Sequence, residues 1–184
     1  MNALDEGYTQ YRHPVSTRRT LLLQAQQAAK AIGYRLGEAN TIKALGDVHL
    51  SLAEYDQARA RYEEARPVYA GIGDRLGEAN TIKALGDVHL QLAEYEAARA
   101  RYEEARPIYV EIGAKVGQAN VAYNIAQLYL LGNDQVAAEG FLAEAVAIGN
   151  AILPGHPVVR GWVEQMAALR AELAAAHPPP AAQD

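Results

Sequence analysis

The chain has no cysteine in its 184 residues, which excludes a disulfide framework, a thiolate zinc site and a cysteine nucleophile. Aromatic residues other than tyrosine are nearly missing, one Phe and one Trp against 11 Tyr, so a sheet protein has little to build from. Basic charge is also short: 17 Lys and Arg face 22 Asp and Glu, a net charge of −5. Such a surface has no general means of displacing counterions from nucleic acid or gripping an anionic membrane. No run approaches the roughly 20 apolar residues that span a bilayer, and the first residues, Met1 to Glu6, lack the basic and apolar regions of a secretion signal. A cytoplasmic protein is expected, with neither nucleic acid nor membrane as partner. What is present is helix material. Half of the residues are hydrophobic, enough for a continuous core, and Ala, Leu, Glu, Arg and Gln dominate.

The chain repeats itself. Residues 37–76 and 77–116 align without a gap and are identical at 31 of 40 positions. A diverged third copy follows in the same register from Gly117, and Arg18–Leu36 matches the second half of the unit, with Leu22, Ala25, Ile32 and Gly33 where Tyr62, Ala65, Ile72 and Gly73 fall. Within each copy two amphipathic helices can be read. Ala39, Ile42, Leu45, Gly46 and His49 recur three and four apart, as do Tyr55, Ala58, Tyr62, Ala65, Tyr69 and Ile72. Ser51-Leu52-Ala53 makes the turn between them, with Gly132-Asn133 as its stronger counterpart. Gly73 suits the left-handed residue that closes a helix, and Asp74 suits the cap of the next.

The pattern Ile42-x2-Leu45-Gly46-x2-His49, then Ala58-x3-Tyr62-x2-Ala65, resembles the tetratricopeptide signature W-x2-L-G-x2-Y followed by A-x3-F. Small residues at Gly46 and Ala58, Gly86 and Ala98, and Ala126 and Ala138 let paired helices approach. The period of 40 resembles the long-repeat branch found in kinesin light chains, in Leu-Gly-Asn-repeat adaptors and in the C-terminal arrays of bacterial signalling NTPases. The resemblance implies an all-α fold, a right-handed α-solenoid of tetratricopeptide-like helix hairpins. Two departures stand out. His49 and His89 occupy the tyrosine position that Tyr129 fills, and Pro67 and Pro107 sit inside the second helices, where a missing N–H predicts local kinks.

The organisation follows: an N-terminal segment 1–15 that could fold over the first helix, a half-repeat helix 16–36, repeats 37–76, 77–116 and 117–153, a capping helix 154–175 and a proline-rich tail 176–184. Trp162 is expected to be buried in that cap, because each end of an array must cover an apolar face. Leu21, Leu22 and Leu23 lack a partner helix within the chain, which makes a homodimer through the N-terminal face a candidate.

Catalysis finds no support in the residues. His49 and His89 lie one repeat apart and cannot converge on one metal ion, so each reads as a core histidine with a hydrogen bond. Glu63-Glu64 and Glu103-Glu104 are neighbours that point apart on a helix and are flanked by arginines, which reads as a solvated mixed-charge face. There is no phosphate loop or nucleophile motif, and no cofactor is expected. The resemblance instead implies a concave groove lined by each repeat's first helix. It carries Asn40, Lys43, Asp47, Leu50 and Ser51, then Asn80, Lys83, Asp87, Leu90 and Gln91, then Asn120, Tyr123, Gln127, Leu130 and Leu131. A protein or peptide is the implied ligand, its backbone paired by the asparagine amides. The chaperone-type carboxylate clamp is missing, since Asp47 and Asp87 stand where it needs asparagine. The alternative is a regulatory or sensor array from a larger bacterial signalling protein.

Overall fold

The structure is a computed structural model that describes residues 15–152 and residues 161, 163, 164, 167–169 and 171. The N-terminal segment, the linker after Ile152, Trp162 and the tail lie outside the described residues. The chain divides into two compact units, Met1–Leu92 and Ala93–Asp184. Unit 1 holds α1 (Val15–Ala31), α2 (Arg35–Ser51), α3 (Tyr55–Ile72) and α4 (Arg75–Gln91). Unit 2 holds α5 (Tyr95–Glu111), α6 (Lys115–Leu131) and α7 (Gln135–Ile152). The described residues of 161–171 are helical too, and no strand occurs among the described residues.

Turn chemistry sets the helix ends. Gly73 closes α3 in the left-handed conformation, φ 73°, and the Asp74 carboxylate accepts the Gly77 N–H at 2.9 Å to cap α4. The turns inside the hairpins place Ala53, Ala93 and Asn133 at positive φ. Asparagine tolerates that conformation and alanine pays for it sterically, so the third repeat has the better turn. Helices α3 and α5 run on through Pro67 and Pro107 to Ile72 and Glu111.

In unit 1, α2 packs against α1 and α3, α3 packs against α4, and α2 also touches α4. Ala39, Ile42, Ala65, Val68 and Tyr69 form one buried cluster. Ala58, Tyr62, Ala84, Leu85 and Val88 form the next, with Leu50, Tyr55 and Leu92 against it. In unit 2, α6 packs against α5 and α7, and Ala122, Ala145 and Val163 are buried together beside Tyr123, Phe141 and Val146. Val163 thus brings the C-terminal helical residues onto the third repeat.

Glycines seat the tyrosine rings. A Cβ on Gly46 would stand 2.5 Å from Cε1 of Tyr62, and one on Gly77 or Gly117 would collide with the ring of Tyr69 or Tyr109. The Gly46 position therefore does more than bring two backbones together; it is a slot for one aromatic side chain. In the third repeat the equivalents of Gly46 and Tyr62 are Ala126 and Leu142, both fully buried. A methyl group has replaced the hydrogen where a smaller side chain has replaced the ring.

Polar contacts decorate this core. Buried Glu38 and Glu78 pair with Arg35 and Arg75, and Gln118, their counterpart, donates to the Tyr109 carbonyl at 2.9 Å. On the second helices, Arg59–Asp56, Arg61–Glu64, Arg99–Glu96 and Arg101–Glu104 pair three residues apart. Gln26 reaches Glu64 at 3.3 Å in unit 1, and Arg106 reaches both oxygens of Glu144 at 2.8 Å in unit 2. These two links join equivalent positions of successive second helices.

Candidate partner-binding face

Asn40, Lys43 and Asp47 stand three and four apart on α2, and Asn80, Lys83 and Asp87 repeat that row on α4. Such spacing places each row on one helix face, and because α2 touches α4 the two rows belong to adjoining helices of unit 1. Unit 2 carries its own row on α6: Asn120, Tyr123 and Gln127, all half-buried. Tyr123 packs against the Ala122, Ala145 and Val163 cluster.

The rows of unit 1 are tied to the core by tyrosine hydroxyls. Lys43 Nζ donates to both oxygens of Asp47 at 3.0 and 3.1 Å, and Tyr62 donates to Asp47 Oδ1 at 2.8 Å. Tyr69 donates to Asn40 Oδ1 at 2.8 Å. Lys83 donates to Asp87 at 2.7 Å, and both Asp87 and Asn80 have further interactions. One lone pair of the Asn40 carbonyl is therefore taken, which leaves the other and the NH2 group. The Asp47 carboxylate likewise has a lysine and a phenol on it. Both rings are buried while their hydroxyls reach this face, so each tyrosine serves core and surface together. Of the amide expected to pair with both N–H and C=O of a backbone, Asn40 keeps its two donors and has one acceptor position taken by Tyr69.

His49 is buried, with Nδ1 against Glu54 at the start of α3, in keeping with a core histidine. No group of three or more His, Cys, Asp or Glu able to hold a metal ion occurs among the described residues, and no helix there is long and apolar enough to cross a membrane.

Burial raises the Tyr69 phenol, helped by the charges of Asp74 and Asp47, to about 12. Burial raises Tyr62 further, with the Asp47 charge and hydrogen bond next and Asp87 after them. Below pH ~10 both phenols keep their protons folded or unfolded, and their contribution is complete. Above pH ~10 the unfolded chain releases protons that the folded chain retains, so stability falls as pH rises, by about 1.4 kcal/mol per pH unit per tyrosine. Urea midpoints taken between about pH 9 and pH 11.5 should show this alkaline decline, and Tyr69→Phe should make it shallower. An unchanged slope in that variant would contradict the assignment.

Helices recurring at a 40-residue period, with small residues where they cross inside each unit, have the pattern of tetratricopeptide-like helical repeats. Residues 78–151 match the family model for the tetratricopeptide repeat. Among solved structures, BtubC (BKLC) from P. vanneervenii is similar, with 20% identity, TM-score 0.60, and coverage of 82% of this chain and 70% of that one. A signal transduction ATPase with numerous domains from Pyrococcus horikoshii, carrying a tetratricopeptide repeat sensor, gives 18% identity and TM-score 0.74. That match covers 94% of this chain but 26% of the ATPase. The putative kinesin light chain nearly identical TPR-like repeats of Podosopora anserina give 12% identity and TM-score 0.54, covering 91% and 100%. At these identities the likeness is one of fold. No curated protein matches the chain by sequence.

Proposed function

We propose that the chain is a non-catalytic, cytoplasmic protein-binding array that holds an extended segment of a partner along the first helices of its repeats. The observation that carries this reading is the pair of equivalent rows on adjoining α2 and α4, each with its lysine and aspartate paired. Repeated donors at regular intervals suit a repeating acceptor, which is what an extended peptide backbone offers. The Asn120, Tyr123 and Gln127 row gives unit 2 a corresponding face with an aromatic side chain to choose among ligands.

The test is selection of binders from a displayed library of unstructured peptides, followed by titration of a selected peptide. Lys43→Ala together with Lys83→Ala should weaken binding about tenfold, as loss of two net hydrogen bonds implies. The melting transition should move only modestly, since each half-buried lysine gives up one ion pair with its aspartate, worth about 0–1 kcal/mol. Asn120→Ala tests the unit 2 face in the same way. Unchanged affinity in all variants would remove the first helices as the site.

A second reading is a sensor array whose occupant is another part of the same polypeptide. It is supported by the likeness to the ATPase with a tetratricopeptide repeat sensor. A third is self-association through α1, whose Leu21 is 51% and Leu23 37% exposed. Light scattering that shows a dimer lost on Leu21→Glu would favour it.

A further inference from the structure

The third repeat differs from the first two at a place where several substitutions combine to open a cavity. In unit 1, Tyr55 at the start of α3 and Leu92 after α4 pack together against the Tyr62 cluster. Their equivalents one repeat later are Tyr95 and Gly132. Gly132 has the same backbone as Leu92, φ −84° and ψ 3°, and the left-handed residue of the turn is Asn133. The backbone thus has no need of glycine here; what Gly132 does is withhold a side chain. The space is a half-open cavity of about 220 Å³ walled by Tyr95, Leu128 and Tyr129. Tyr95 is 43% exposed there. The volume lies below the roughly 300–1,000 Å³ of small-molecule pockets and suits one side chain.

The charges at its rim are unequal. Glu96 is paired with Arg99 at 2.6 Å, and the Arg99 guanidinium lies over the Tyr129 ring, 6.0 Å from its centroid. That ring is stacked on Phe141 at 5.6 Å, so the arginine is held in place and the Glu96 charge is answered. Asp134 is different. It occupies the position of Glu54, whose partner is His49, and in this repeat Tyr129 has replaced the histidine. The Asp134 side chain accepts the Ala137 N–H at 3.0 Å, and no cation is paired with it among the described residues.

We infer that this cavity receives a basic side chain, lysine or arginine, of a protein partner. Its aliphatic stem lies against Tyr95 and Leu128, and its cationic head meets Asp134. The site is separate from the asparagine rows and can be occupied or empty independently of them.

The experiment uses the full chain, 15N-labelled, titrated with the capped tripeptides acetyl-Gly-Lys-Gly-amide and acetyl-Gly-Arg-Gly-amide and with their Leu and Glu counterparts. The basic probes should shift the amides of Tyr95, Gly132 and Asn133 saturably, with Kd on the order of 1–10 mM for a single side chain. The Leu and Glu probes should leave them in place. Asp134→Asn keeps the helix cap, since asparagine caps as well as aspartate, and should weaken the basic probes about two- to fivefold, as an exposed charge pair implies. Gly132→Leu should abolish the shifts. Its Cβ meets the Leu128 and Tyr129 carbonyl oxygens at 3.5 Å, an ordinary contact, so the fold should accept it. Equal shifts from the Leu probe, no shifts from any probe, or indifference to both substitutions would overturn the inference.

Discussion

Tyr62→Ala should cost about 3–5 kcal/mol, the range for removing a fully buried large aromatic side chain. The ring is inaccessible to solvent and packs with Ala58, Ala84, Leu85 and Val88, so its removal empties a space that joins α3 to α4. The hydroxyl adds to the loss, because Asp47 keeps Lys43 but loses the phenol. Tyr62→Phe separates the two contributions: it keeps the packing and should cost about 1.5–3 kcal/mol, the hydrogen bond to a charged acceptor. Chemical denaturation of both variants checks this. A Tyr62→Ala cost below that of Tyr62→Phe would contradict it.

Gly46→Ala comes next in size. In an exposed helix the change would stabilise by up to about 1 kcal/mol. Here the new methyl group meets three ring atoms of Tyr62 at 2.5, 2.8 and 3.0 Å. The ring is enclosed and cannot swing away, so overpacking should dominate, at about 1–3 kcal/mol destabilising. The third repeat shows how the conflict is relieved, with Ala126 and Leu142 at the equivalent positions. Tyr62→Leu with Gly46→Ala should therefore be more stable than the sum of the two single changes, by about 0.5–3 kcal/mol of coupling. Strict additivity would show that Gly46 is not the seat of that ring.

Helix placement was legible because its causes are local. Spacings of three and four set α2 and α3, and Gly73 and Asp74 took the closing and capping roles that their chemistry favours. The mixed-charge outer face was legible for the same reason, since its ion pairs are three residues apart. The tyrosine hydroxyls were not. Tyrosine where the repeat signature has phenylalanine signals that a hydroxyl needs a partner, but not that Asp47, 15 residues back, and Asn40, 29 residues before Tyr69, would supply it. Gly132 read as a chain breaker, whereas the left-handed turn belongs to Asn133 and the glycine's effect is the cavity. That distinction needs the backbone angle and the neighbouring repeat together. The asparagine rows came from family resemblance, and what each amide has left to offer depends on contacts outside its own helix.

The binding face itself is tested most directly by photo-crosslinking. A library-selected peptide carrying a benzophenone group at each position in turn is irradiated with the chain, and the adducts are located by mass spectrometry. The first-helix reading predicts adducts on α2 and α4 around Asn40, Lys43, Asn80 and Lys83, or on α6 around Asn120 and Tyr123. Adducts confined to the second helices α3, α5 and α7, with the first helices unmodified at every crosslinker position, would contradict it.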